Sequence, residues 1–318
     1  MSEPLSIVLG QHGQVRALRD GSVRVDGYAL DFVDVKRMPD AYRAMARQQP
    51  YDICEMAPTS YLMAVAAGAP ITALPLPMTR RFRHAGLQRR RDSDIRQPTD
   101  LEGRTVGSRT YAVSAAVWTR GILADDYGVD LKRIEWLTEE DENVETFVLP
   151  RNARRIPDGE TLADLMRRGQ LDAAFGGLAG LGADPGDALV ELVEDAAARE
   201  SRWFERTGIY PLHGVIVARN DVLARHPTLA TRLFDAFVAA KERYLDAVRA
   251  GRADTPEDRR YRQLAKLVGD PLPYGLQENK ASLEALIRYA HEQGLIETRP
   301  SLDSVFLDPR GIASPLTV

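Results

Sequence analysis

The sequence predicts an α/β protein of two lobes, each a wound sheet flanked by helices, and three observations carry that expectation. Short apolar runs such as 5–9 and 71–76 alternate with single helical periods, the pattern of parallel strands joined by crossover helices. The strand–helix pattern starts again at Thr105, after a basic segment spanning 80–91. Between these, a polar loop feeds an Ala-rich helix beginning near Ser114, whose free N–H groups and positive dipole end suit an anion.

Taken in order, LSIVL at 5–9 reads as a buried strand closed by Gly10, and a polar loop leads to a short helical piece ending at Asp20-Gly21. Residues 28–35 alternate as a second strand. The stretch 38–48 is helical, with Met38, Tyr42 and Met45 on one face. A third strand (51–56), a helix (58–67) and a fourth strand (71–76) follow. The second lobe has strands at 104–107, 134–137 and 171–175, the helix from Ser114, and another helix at 161–168. The stretch 138–156 has no apolar period and reads mostly as loop, and the Gly-rich 176–186 reads as loop or inter-lobe surface. A late strand, 212–219, precedes helices at 221–226, 229–250, 258–267 and 279–292. The expected organisation is a discontinuous first lobe (1–103 and 201–318) with a helical C-terminal segment, and an inserted second lobe (104–200). A ligand is expected in the cleft where strand ends of the two halves face each other.

Bulk properties exclude several classes. Of 318 residues, 44% are hydrophobic and 28% charged, and the net charge of -4 gives no electrostatic reason for a nucleic-acid or anionic-membrane partner. The single cysteine, Cys54, cannot form an intrachain disulfide and sits in an apolar strand, where an inert buried thiol is expected. The longest apolar stretch, 61–76, is interrupted by Gly68, Pro70 and Pro75, so no membrane span is expected. The opening MSEPLSIVLGQHG carries no export pattern, and a cytoplasmic location is expected. The long helix 229–250 leans the expectation mildly to a homodimer. There is no GxSxG elbow, P-loop, HExxH or Cys-based metal spacing. The five histidines (12, 84, 213, 226 and 291) are scattered, and nothing in the spacing supports a metal site.

Candidate residues cluster at predicted strand ends. Arg80-Arg81-Phe82-Arg83-His84 is either a solvated basic strand or a set of cations turned to a ligand, Arg for a carboxylate and His for a proton. Glu55 ends a strand and opens a helix through Thr59 and Ser60; the hydroxyls cap the helix or meet a ligand, and the carboxylate is an acid/base or half of a salt bridge. His213 lies in an apolar strand beside Gly214, which permits close backbone approach. Tyr274 stands on the rigid turn Pro271-Leu272-Pro273-Tyr274-Gly275.

The segments YDICEMAPTSYL (51–62), RFRH (81–84), AAVWTRGIL (115–123), RTGIYP (206–211), PYGL (273–276) and YAHEQGL (289–295) resemble 4,5-dihydroxyphthalate decarboxylase and its relatives across nearly the whole chain. The resemblance implies a type II periplasmic-binding-protein-like fold turned into a cytoplasmic enzyme. Where relatives typically carry an acidic residue before Tyr111 this chain has Thr110, and where they carry a Tyr-Asp pair it reads His12-Gly13. The implied reaction is decarboxylation of a hydroxylated aromatic dicarboxylate, by protonation of the ring carbon and loss of carbon dioxide. No organic cofactor is called for, because the phenol supplies the electrons; a divalent metal stays open as a substitute for some roles. In this scheme Arg81 clamps a carboxylate, His84 or His213 delivers the proton, and Glu55 tunes a histidine. Tyr111 and Ser114 hold the second anionic group, with Thr59, Ser60 and Tyr274 as further substrate contacts. The alternative is a non-catalytic binding protein for a small anionic solute; another lyase of a cyclic carboxylate is a third reading.

Overall fold

In the computed structural model, which describes residues 3–182 and 188–310, the apolar runs form two sheets, one in each of two units. Unit one takes Met1–Arg80, Leu212–Glu284 and Pro300–Val318; unit two takes Arg81–Pro211 and Ala285–Arg299. Residues 183–186 of the loop expected at 176–186 lie outside the described residues.

Unit one begins with β1 (Leu5–Val8), α1 (Arg16–Arg19), β2 (Leu30–Phe32), α2 (Met38–Arg47), β3 (Ile53–Met56), α3 (Pro58–Ala66) and β4 (Ile71–Leu74). Unit two contains β5 (Leu87–Arg90), β6 (Thr105–Ser108), α4 (Ser114–Tyr127), β7 (Glu135–Thr138), β8 (Ala153–Arg155), α5 (Leu162–Arg167), β9 (Ala173–Phe175), β10 (Leu189–Glu191) and α6 (Ala196–Thr207). The chain then re-enters unit one as β11 (Val215–Arg219), α7 (Asn220–Arg225), α8 (Leu229–Arg249) and α9 (Pro256–Val268). Helix α10 (Lys280–Glu292) starts in unit one and belongs to unit two from Ala285 on; α11 (Leu302–Val305) follows.

The units part at Arg80/Arg81 and Pro211/Leu212, where the sequence placed the junctions at 103/104 and 200/201. The cause is pairing. β5, inside the basic segment, hydrogen-bonds antiparallel to β9 and β10, so that segment is part of the second sheet. Residues 285–299 join unit two because Tyr289 packs edge-on against Trp118 and Gln293 bonds Arg120. A Cβ on Gly121 would lie 2.4 Å from the Tyr289 ring, so α4 admits α10 only through glycine there.

The first sheet has the order β2-β1-β3-β11-β4. β1 pairs parallel with β2 and β3, as the crossover pattern requires, but β3 and β4 are not neighbours. β11 runs antiparallel between them, which corrects the all-parallel expectation. The returning chain fills the gap that the helical period could not reveal. In the second sheet, β10-β5-β9-β6-β7-β8, the strands β9, β6, β7 and β8 are parallel, and β8 lies in the stretch read as loop.

Apolar spacing sets the cores. On α8, Leu233, Phe234, Phe237 and Ala240 recur at helical intervals and cover Ile7, Ile53, Leu74 and Ile216. In unit two, Leu162 and Met166 of α5 pack with Leu137, Leu171 and Ala174. α4 stops at Gly128, which takes the left-handed conformation at φ 66°. α9 starts on a capping box in which Thr255 and Asp258 satisfy each other's N–H groups. Among the described residues no helix is long and apolar enough to cross a membrane.

Candidate functional site

Because β1 and β3 are adjacent and parallel, with Val8 opposite Cys54, their C-terminal ends emerge side by side. That brings the Gly10–His12 turn against Glu55. The Glu55 side chain is buried, the residue being 2% exposed, and would be costly there without partners. It has four contacts: the Gly10 N–H donates at 2.9 Å, His12 Nε2 lies 2.9 and 3.1 Å from its two oxygens, and the Tyr42 hydroxyl donates at 3.4 Å. Two glycines make the cradle: a Cβ on Gly10 would stand 2.6 Å from His12 Nε2, and one on Gly214 would stand 2.7 Å from Glu55 Oε1.

Burial pushes the Glu55 carboxyl up, but His12, the Gly10 N–H and Tyr42 outweigh it and hold the carboxyl below its ordinary value. Burial likewise works to lower the His12 imidazole, yet the adjoining Glu55 charge and hydrogen bond, with Glu257 beyond, raise it above its ordinary value. The imidazole keeps a face to solvent, its side chain being 24% exposed. The result is a paired carboxylate and imidazole at the end of a sheet, each favouring the charged form of the other.

The pair makes stability depend on pH from two sides. Glu55 stabilises the fold fully above its ordinary 4.5 and loses this as pH falls through its depressed value. His12 stabilises fully below its ordinary 6.5 and loses this as pH rises through its raised value. Thermal melts from about pH 6 to about pH 9 should therefore fall more steeply for the wild type than for His12→Asn. Parallel slopes would mean that the pair contributes nothing to folding.

Tyr274 belongs to the same unit. Its hydroxyl is buried with no hydrogen-bond partner among the described residues, and burial, then the charges of Tyr261, Asp270 and Glu55, keep it protonated far above neutrality. A buried unpaired donor costs about 1–3 kcal/mol, which a ligand oxygen would recover. Thr59 and Ser60 are buried in the first turn of α3, but the cap position is Ala57 and no side chain caps it. His213 is half-buried; its backbone N–H donates to Thr79 at 2.8 Å, and the next residue, Gly214, lies against the Glu55 carboxylate.

The basic run divides. Arg80 is buried and donates to Asn279 at 2.5 Å, whereas Arg81 is exposed and belongs to unit two. His84 departs from its expected role as proton donor. It is 2% exposed within unit two, packed against Tyr127 and Trp203, with Nε2 3.7 Å from Asp126. Burial, only partly offset by Asp126, lowers its pKa and favours the neutral ring. Its ring is buried in unit two against Tyr127 and Trp203.

Tyr111 and Ser114 stand, as expected, where the loop enters α4. The Tyr111 ring is buried, stacked on Phe147, with its hydroxyl 3.4 Å from the Gln293 carbonyl. The N–H groups of Tyr111 and Ala112 point to a carboxylate, but it is the chain's own Glu142, at 2.5 and 3.1 Å. Beneath them Arg120, 0% exposed, donates to the Tyr111 carbonyl at 2.5 Å and to Gln293 at 2.7 Å.

Glu142 and Arg120 escaped the sequence reading, and His12, noted only as a departure in the first loop, was given no role. For His12 a signal existed, since it follows a strand by a few residues, as Glu55 ends the neighbouring one. Among the described residues no three His, Cys, Asp or Glu side chains gather as a metal site needs.

A family model described as the periplasmic substrate-binding protein of a phosphonate ABC transporter matches residues 22–263. The 4,5-dihydroxyphthalate decarboxylase of Comamonas testosteroni is 32% identical over 312 residues, covering 93% of this chain and 93% of its own. A protein of the same name from Pseudomonas putida is 36% identical over 182 residues, 54% of this chain and 69% of its own. Among solved structures, the periplasmic aliphatic sulphonate binding protein SsuA from Escherichia coli shares the fold. Its TM-score is 0.56 at 14% identity, over 100% of this chain and 96% of its own.

Proposed function

The chain belongs to the 4,5-dihydroxyphthalate decarboxylase family, on a domain of the phosphonate-binding type, and we propose that it decarboxylates a hydroxylated aromatic dicarboxylate resembling 4,5-dihydroxyphthalate. The observation that carries this reading is the His12–Glu55 pair, a proton source held at the end of a sheet. A phenol oxygen para to the leaving carboxylate pushes electrons into the ring. His12 gives a proton to the ring carbon bearing that carboxylate, making it tetrahedral. The carbon–carbon bond then breaks, its electrons restore the aromatic ring, and carbon dioxide leaves. Water returns the proton to His12.

Each residue of unit one has a part. Nε2 of His12 is committed to Glu55, so Nδ1 is the nitrogen free to hand over the proton. Glu55 favours the charged imidazole and orients it. The Tyr274 O–H donates to an anionic oxygen of the substrate, the acceptor its buried hydroxyl lacks. His213, next to the Gly214 that lies against Glu55, is the competing donor. The same reading places the enzyme in the cytoplasm, which fractionation of producing cells checks.

A non-catalytic binder of a small anionic solute is the second reading, and the match to a substrate-binding domain favours it. Purified protein incubated with 4,5-dihydroxyphthalate, with and without a divalent metal, separates the two. Carbon dioxide and the monocarboxylate should accumulate. Ligand-induced thermal stabilisation without turnover would instead make the protein a binder, and neither effect would remove this substrate class.

A further inference from the structure

The turn that leads into α4 already holds a carboxylate. The Glu142 carboxylate accepts from two successive backbone donors, Tyr111 N–H at 2.5 Å and Ala112 N–H at 3.1 Å, one residue before the helix's N-cap, Val113. Successive backbone N–H groups converging on one anion form a nest, except that here the carboxylate comes from the chain itself. The segment bearing it is tethered by its first residues, the N–H groups of Glu139 and Glu140 both donating to the Arg109 carbonyl.

A second observation points to an anion at the same place. Arg120 is fully buried with its guanidinium carbon 3.9 Å from the centre of the Tyr111 ring, and its Nη1 has no hydrogen-bond partner among the described residues. The Glu142 carboxyl feels this cation, and the Arg120 side chain feels Glu142 in return. A buried guanidinium with an idle donor, bonded to the carbonyl of the same turn whose two N–H groups converge on a carboxylate, is more positive charge than that turn needs. Glu142 is a poor permanent tenant. Burial raises its carboxyl above the ordinary value in spite of both N–H groups and the arginines Arg120 and Arg109.

We infer that the Tyr111–Ala112 turn over Arg120 is an exchangeable site for the carboxylate of a small organic acid, and that Glu142 is the internal occupant such a ligand displaces. The inference stands whether or not the chain decarboxylates its ligand, because it concerns which carboxylate the turn holds. It explains why the residues expected to grip a substrate anion are engaged without one.

The test is chemical rescue with acetate and benzoate at constant ionic strength. Glu142→Ala should melt below the wild type, and acetate should restore the loss saturably, whereas acetamide should not. The wild type, its site already filled, should gain nothing saturable from acetate. Calorimetric titration with benzoate should show at least about tenfold tighter binding to Glu142→Ala than to the wild type. Where Glu142→Ala fails to fold, Glu142→Gln takes its place and should also bind benzoate more tightly than the wild type. Equal benzoate affinity in wild type and variant, or rescue by acetamide as good as by acetate, would overturn the inference and leave Glu142 a structural cap. Both readouts are independent of turnover, so a failure here is distinguishable from a failure of the decarboxylase reading.

Discussion

Replacing His12 with asparagine should lower kcat/KM for 4,5-dihydroxyphthalate by about 10²–10⁴-fold, the range that loss of a positioned general acid costs. The asparagine amide stands at the level of Nδ1 and falls short of Glu55, so His12→Gln, whose amide reaches the Nε2 position, is the companion variant that keeps a donor on the carboxylate and makes the loss report on proton delivery. The His213→Asn variant is the control. A comparable loss there, with His12→Asn near normal, would move the donor to His213. Glu55 acts through His12, and its variant has a distinct signature. Without the neighbouring charge the lowering effect of burial prevails and the imidazole pKa falls, so Glu55→Gln should shift the alkaline limb of the kcat profile to lower pH. A profile of unchanged shape, merely scaled down, would mean that Glu55 only supports the fold.

The largest effect on stability is expected at Arg120. Arg120→Met should cost about 3–5 kcal/mol, read from the midpoint and slope of urea unfolding curves. The guanidinium holds the Tyr111 carbonyl and the Gln293 amide oxygen and lies over the rings of Tyr111 and Trp136. Methionine fills the volume but leaves two buried acceptors unpaired. Arg120→Lys should recover little, because a single ammonium cannot present the fork that reaches Tyr111 and Gln293 together. A loss under about 1 kcal/mol in Arg120→Met would show that this network is dispensable.

The local patterns were readable where one element settles its own form. Thr105 to Ser108 as a strand, Ser114 as the start of a long helix, and the helical stretch near 229–250 follow from apolar period and turn chemistry. The helix Ala196–Thr207 was passed over because its buried side is narrow: among its residues only Trp203 is fully covered. β5 was hidden for a different reason. Leu87-Gln88-Arg89-Arg90 reads as a basic run, and only its two flanking strands make it an inner member of a sheet.

The candidate site divides along the same line. Glu55 was legible, because a carboxylate in a buried strand end demands a partner, and the sequence names the demand. It does not name the partner. His12 lies 43 residues away, and it meets Glu55 only because β1 and β3 pair in parallel register. Helix α4's positive end was legible from its loop, whereas its occupant, 31 residues further on, was not.

By itself the sequence determined the α/β class, the family, the strand ends that carry charge and the helix start that attracts an anion. The class and the helix start rest on period, capping and composition within a few residues of one another, whereas the family rests on the resemblance carried by segments such as 51–62 and 115–123. Tertiary structure decided where the units part, that β11 lies between β3 and β4, that His84 is buried among aromatic rings, that His12 meets Glu55, and that Glu142 accepts from the Tyr111 and Ala112 N–H groups. Those outcomes depend on strand register and on burial of charge, whose energies are set by atoms far apart in the chain.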